Sequence, residues 1–100
     1  MSDSIVSVSH ALTQDEALRR IQAAVAQARE QYTDRINELR ESWNGYAGEF
    51  VVSAMGQKIS GTVAVNPSDV MVQTKLPFLA MAFKPMIESG LREELAKILA

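Results

Sequence analysis

One hundred residues with a net charge of −2, 47% of them hydrophobic and 22% charged, predict one globular domain over residues 1–100 and exclude a disordered chain. The ten Lys and Arg residues are scattered, with no basic stripe, which speaks against nucleic-acid binding because a phosphate backbone needs clustered cations. Cysteine is absent, so disulfides, thiolate catalysis and cysteine zinc sites are excluded.

Ile5, Val6 and Val8 open the chain, with Ser7 and Ser9 alternating against Val6 and Val8. This predicts a strand over 4–10. Thr13-Gln14-Asp15-Glu16 has the form of a capping box: the Thr13 side chain takes the N–H three residues on and Glu16 reaches back. Leu12 stands before the cap, placed to staple onto Ala17. Leu18, Ile21, Val25, Ala28, Tyr32 and Ile36 then recur at three or four, one apolar face of a long helix ending between Asp34 and Glu38.

Leu39, Glu41 and Trp43 alternate with Arg40 and Ser42, as a last helical turn or a strand, and a strand is favoured because Asn44-Gly45 follows, a strong hairpin signal in which both residue types tolerate positive φ. The next strand is Glu49 to Met55, turned by Gly56-Gln57. In Lys58 to Val65, the residues Ile59, Gly61, Val63 and Val65 share one face. Asn66-Pro67-Ser68-Asp69 is a turn. Val70, Val72, Thr74 and Leu76 then form the inner face of the last strand, with Met71, Gln73 and Lys75 pointing away.

The closing segment is helical. Leu79, Phe83, Ile87, Leu91, Leu95 and Ile98 make its stripe, with Leu79 and Phe83 expected in the core. Pro85 removes a backbone donor, so two geometries stay open: a kink near Met81–Lys84, or a short turn and a helix starting at Pro85. Gly90 weakens the helix or admits a neighbour. The order is β-α-β-β-β-β-α. The expected fold is α+β, a two-layer sandwich with a largely antiparallel sheet of about five strands and two helices on one face.

Little in the chain reads as chemistry. His10 is the sole histidine, at a strand end with no partner singled out for acid–base or metal work. It reads as a structural residue at the strand–helix corner. Most of the carboxylates fall on solvated faces and turns. Asp34 and Glu38 sit four apart, but no His joins them. The glycines fit no phosphate loop and the serines no nucleophile elbow. Trp43, at a hairpin end, reads as packing at the core's edge. No catalytic residue, cofactor or metal site is expected.

The segment from Leu76 to Ile87 is apolar nearly all round. With Leu79 and Phe83 inward, Phe78, Met81, Ala82 and Met86 are either left as an interaction surface or buried within the monomer as the helix entry. The opening Met1-Ser2-Asp3-Ser4 lacks the features of a signal peptide. No segment offers the ~18 apolar residues of a membrane span. The expected location is cytoplasmic.

His10-Ala11-Leu12, Glu16-Ala17, Trp43-x-Gly45, Phe50, Gly61-x-Val63-x-Val65, Leu76-Pro77-x-Leu79-x-x-x-Phe83 and Ile87-Glu88-x-x-Leu91-x-x-x-Leu95 stand in an order and spacing that resembles the polyhydroxyalkanoic acid system proteins of bacteria. The resemblance spans nearly the whole chain. Pro85 departs from it, standing where a helix former is expected. The resemblance implies a small protein associated with polyhydroxyalkanoate storage genes, at or near the polyester granule. It carries over no catalytic residue.

The function expected from these readings is a non-enzymatic accessory or binding protein of that storage system. Its apolar 76–87 surface would contact the granule, a granule protein or a second copy of the chain in a homodimer. The alternative is a small carrier for a fatty or hydroxyacyl chain, in a pocket between sheet and helix lined by Ile59, Val63, Val72 and Leu91. An enzyme would need a polar cluster around His10 assembled from distant residues.

Overall fold

A computed structural model describes residues 2–31, 38–54, 56–76 and 82–100. Its elements are β1 (Ser2–Ser9), α1 (Gln14–Gln31), β2 (Glu38–Asn44), β3 (Ala47–Ala54), β4 (Gln57–Val65), β5 (Asp69–Leu76) and α2 (Lys84–Leu99). The strands make one open antiparallel sheet in the order β1-β5-β4-β3-β2, with two helices. The expected α+β class and element order hold. Met55, the last six residues expected before β2, and the segment 77–81 lie outside the described residues. So do Tyr32, Ile36, Leu79 and the exit foreseen for the first helix.

The meander β2 to β5 follows from local turn chemistry. Asn44 pairs with Ala47, which leaves Gly45-Tyr46 as the loop, and Gly45 takes φ of 63°. Gly56, at φ of 77°, turns β3 into β4. The place of β1 is not local. It pairs with β5, Val6 opposite Val72 and Val8 opposite Val70, so α1 connects the two edge strands. Its 18 residues span about 27 Å, enough to cross five strands about 4.8 Å apart.

The core lies between one sheet face and the helices. Val6, Val65, Val70 and Val72 meet Ala17 and Ile21 of α1 and Leu95 and Leu99 of α2. Leu12, Leu18, Leu91 and Ile98 pack around them. Along β5, Val70, Val72, Thr74 and Leu76 are buried while Met71 and Lys75 are exposed, which is the expected alternation.

The entry to α1 keeps half of the capping box. The Glu16 N–H donates to Thr13 Oγ1 at 3.1 Å. The Glu16 carboxylate, however, turns to Arg19 at 2.5 Å and Arg20 at 2.9 Å, where two cations outcompete one backbone N–H. Arg20 also donates to the Ala100 carbonyl at 2.6 Å, placing a cation at the negative end of α2. Hydrogen bonds from Arg19 and then Arg20 hold the Glu16 carboxyl at about 2, below its ordinary 4.5. Because the folded value is the lower one, the Glu16 contribution is complete above pH 4.5 and is lost as pH falls toward 2. In thermal melts, the difference between the parent and Glu16→Gln should therefore be largest at neutral pH and close over that window. The ion pairs are exposed, so salt should shrink it. A difference that stays constant down to pH 2 would refute the linkage.

Pro85 sits in the first turn of α2, where its missing N–H costs nothing. α2 starts at Lys84, one residue before the start foreseen at Pro85, while Met81, where the alternative kink would begin, lies outside the described residues. The expectation that Phe83 enters the core is overturned: it is 56% exposed. Phe83 is the N-cap of α2, at φ of −103° and ψ of 11°, so the helical four-residue spacing does not carry it onto the buried stripe. Gly90 is exposed and a Cβ there would meet nothing within 4 Å. The close approach considered for it is not made.

Candidate functional site

Successive pairings turn the inner sheet face into rows. Val6 pairs with Val72, Val72 with Val63, Val63 with Gly48 and Gly48 with Trp43. The next row reads Ser4, Thr74, Gly61, Phe50 and Glu41. Ile59 stands beyond it, opposite Val52. A polar pair, Ser4 and Thr74, therefore sits on the face that carries Val6 and Val8 in β1 and Val70, Val72 and Leu76 in β5. Both are buried, at 0% and 3% exposed.

The two hydroxyls are treated differently. Ser4 Oγ donates to Glu88 Oε2 of α2 at 2.6 Å, across 84 residues of sequence. Thr74 Oγ1 has no hydrogen-bond partner among the described residues. Burying a hydroxyl unpaired costs about 1–3 kcal/mol, while valine has nearly the same shape and no such cost. Two buried hydroxyls on neighbouring strands thus lie under the sheet-facing, partly exposed Glu88 of α2, with Val63 and Val72 on one side and Ile59 and Leu76 on the other.

The residues expected to line a pocket fall around this cluster. Val72 is buried, and Val63 and Leu91 pack against the core. Ile59 is partly buried, on the far side of the Thr74 row. Leu91 follows Glu88 by three positions on α2, hence on the same helix face. Ser4 and Glu88 were not singled out from the sequence. Thr74 was placed on the inner face, and a polar residue at an apolar position of an alternating strand was the signal available.

Of the expected interaction surface, Ala82 and Met86 are exposed, while Phe78 and Met81 lie outside the described residues. Phe83 joins the exposed set. It and Met86, at 56% and 70% exposed, stand three positions apart at the head of α2.

His10 holds the corner foreseen for it. The Leu12 N–H donates to Nδ1 at 3.1 Å, and Nε2 lies 3.0 Å from the Asn66 carbonyl oxygen. These partners assign the proton to Nε2, and each nitrogen already has a backbone partner. Nearby, the Tyr46 hydroxyl donates to the Asp15 carboxylate. That hydrogen bond raises the Tyr46 pKa, with burial adding to it. The Gln14 amide donates to the Val65 carbonyl at 2.8 Å. These contacts pin the loops of one sheet end to the start of α1.

Trp43 is half-buried against the core, as expected, and its indole N–H donates to Glu41 at 3.2 Å. Glu38 pairs with Arg40 at 2.8 Å, and Asp34 lies outside the described residues. Among the described residues, no group of three or more His, Cys, Asp or Glu is placed to hold a metal ion. No helix there is long and apolar enough to cross a membrane.

No curated protein matches the chain. The family described as "Putative polyhydroxyalkanoic acid system protein" matches residues 5–99, nearly the full length, and the chain belongs to it.

Proposed function

We propose that this protein is a non-enzymatic accessory of the bacterial polyhydroxyalkanoate storage system and adsorbs to the polyester granule through the head of α2. The supporting observation is the exposed pair Phe83 and Met86. A polyester surface is apolar, and covering two such side chains removes their area from water. Full burial of such a side chain is worth roughly 1.5–3 kcal/mol, so covering the exposed portions of the two contributes on the order of a factor of ten in binding. Met is unbranched and polarizable, suited to an irregular surface.

The test is co-sedimentation with dispersed polyhydroxyalkanoate particles. The parent should pellet with them. A folded Phe83→Ser/Met86→Ser variant should bind about tenfold less. Equal binding by the two proteins, or a parent that stays in the supernatant, would defeat the proposal.

A second reading is a carrier for a hydroxyacyl chain between the sheet and α2. It is supported by the buried, unpartnered Thr74 hydroxyl.

A further inference from the structure

We infer that Ser4, Thr74 and Glu88 form a binding site for a neutral hydroxyacyl ester. The inference rests on the carrier reading and says which ligand chemistry the site takes. Three observations carry it. Thr74 is 3% exposed and its hydroxyl is unpartnered among the described residues. Ser4, its cross-strand neighbour, is fully buried and holds Glu88 at 2.6 Å. Apolar residues flank the polar row, Val63 and Val72 on one side and Ile59 and Leu76 on the other.

The ligand class follows from donors and acceptors. Thr74 offers an O–H donor, and Glu88 offers carboxylate acceptors. The complementary molecule has a carbonyl to accept from Thr74 and a hydroxyl to donate to Glu88. Its remainder is a short alkyl chain that lies along the flanking valines and Ile59. A 3-hydroxyacyl ester has all three parts. A free hydroxy acid does not fit, because its carboxylate would meet the like charge of Glu88. A simple fatty ester lacks the hydroxyl, and a site built for a hydroxyl discriminates against the analogue without it. Glu88 is partly exposed, which gives the ligand a route in.

The experiment is calorimetric titration of the purified protein with methyl 3-hydroxybutyrate, with free 3-hydroxybutyrate and methyl butyrate as comparisons. The hydroxy ester should bind at least tenfold tighter than either. Thr74→Val should weaken that binding at least tenfold while raising the melting temperature of the unliganded protein. Glu88→Gln, which keeps the shape, should weaken it and narrow the preference against the free acid. The Phe83→Ser/Met86→Ser variant should bind the ester like the parent, so the Ser4–Thr74–Glu88 site and the granule surface succeed or fail separately. No binding of the ester by the parent, equal affinity for all three compounds, or parental affinity in folded Thr74→Val would overturn the inference.

Discussion

Gly61→Ala is expected to cost about 3 kcal/mol or more, a large share of the 5–15 kcal/mol that holds a domain together. A Cβ at Gly61 would clash with the Gln73 carbonyl oxygen and lie 2.7 Å from Phe50 Cζ. Carbon contacts are favourable only near 3.5–4.0 Å. Ordinarily alanine improves on glycine in a strand by about 0.5–1 kcal/mol, so the expected sign here is the reverse of the usual one. The obstacle decides the magnitude. Phe50 can turn, but the Gln73 carbonyl belongs to the neighbouring central strand, where β4 pairs with β5. Moving it disturbs that ladder. Trimming Phe50 to leucine in the Gly61→Ala background should therefore restore little. Urea unfolding checks this, and a Gly61→Ala midpoint at or above that of the parent would show that the backbone approach imposes no constraint.

The parts of the fold legible in the sequence are those set by neighbours in the chain. Val70, Val72, Thr74 and Leu76 alternate with Met71, Gln73 and Lys75, and the burial of β5 repeats that alternation. Asn44-Gly45 placed its hairpin within a residue. The position of β1 beside β5 was not legible, because pairing across more than sixty residues leaves no periodic trace in either segment. Phe83 shows the opposite failure. Its spacing to Ile87 fits a helical stripe, but Pro85 sets the helix start, and a residue at the N-cap is free of the helical period.

Of the three residues of the proposed site, only Thr74 left a mark in the sequence, as a polar residue on an inner strand face. Thr74 breaks an apolar row, and that is visible without coordinates. Ser4 lies in a serine-rich opening where one more hydroxyl carries no signal. Glu88 is one of several acids on a helix, distinguished only by contact with a strand 84 residues away. Local patterns report which face a side chain occupies. They do not report which two faces meet.

Gly48 provides the contrast to Gly61. A Cβ there would lie 2.8–2.9 Å from the Trp43 ring, so the obstacle is a side chain on the edge strand β2 and not the backbone. Gly48→Ala should cost about 1–3 kcal/mol, the usual range for an overpacked site. The indole would move outward, losing contact with the core it packs against. Trp43 is the sole tryptophan, so its emission should shift to the red in the folded variant. Because the obstacle can be removed, Gly48→Ala combined with Trp43→Leu should be more stable than the sum of the single changes allows, with a coupling of about 1 kcal/mol or more. Phe50→Leu should give Gly61→Ala no comparable relief. Strictly additive effects at Gly48 and Trp43 would mean that the ring does not rest on the glycine, and that its place is set by its contacts with the core and with Glu41.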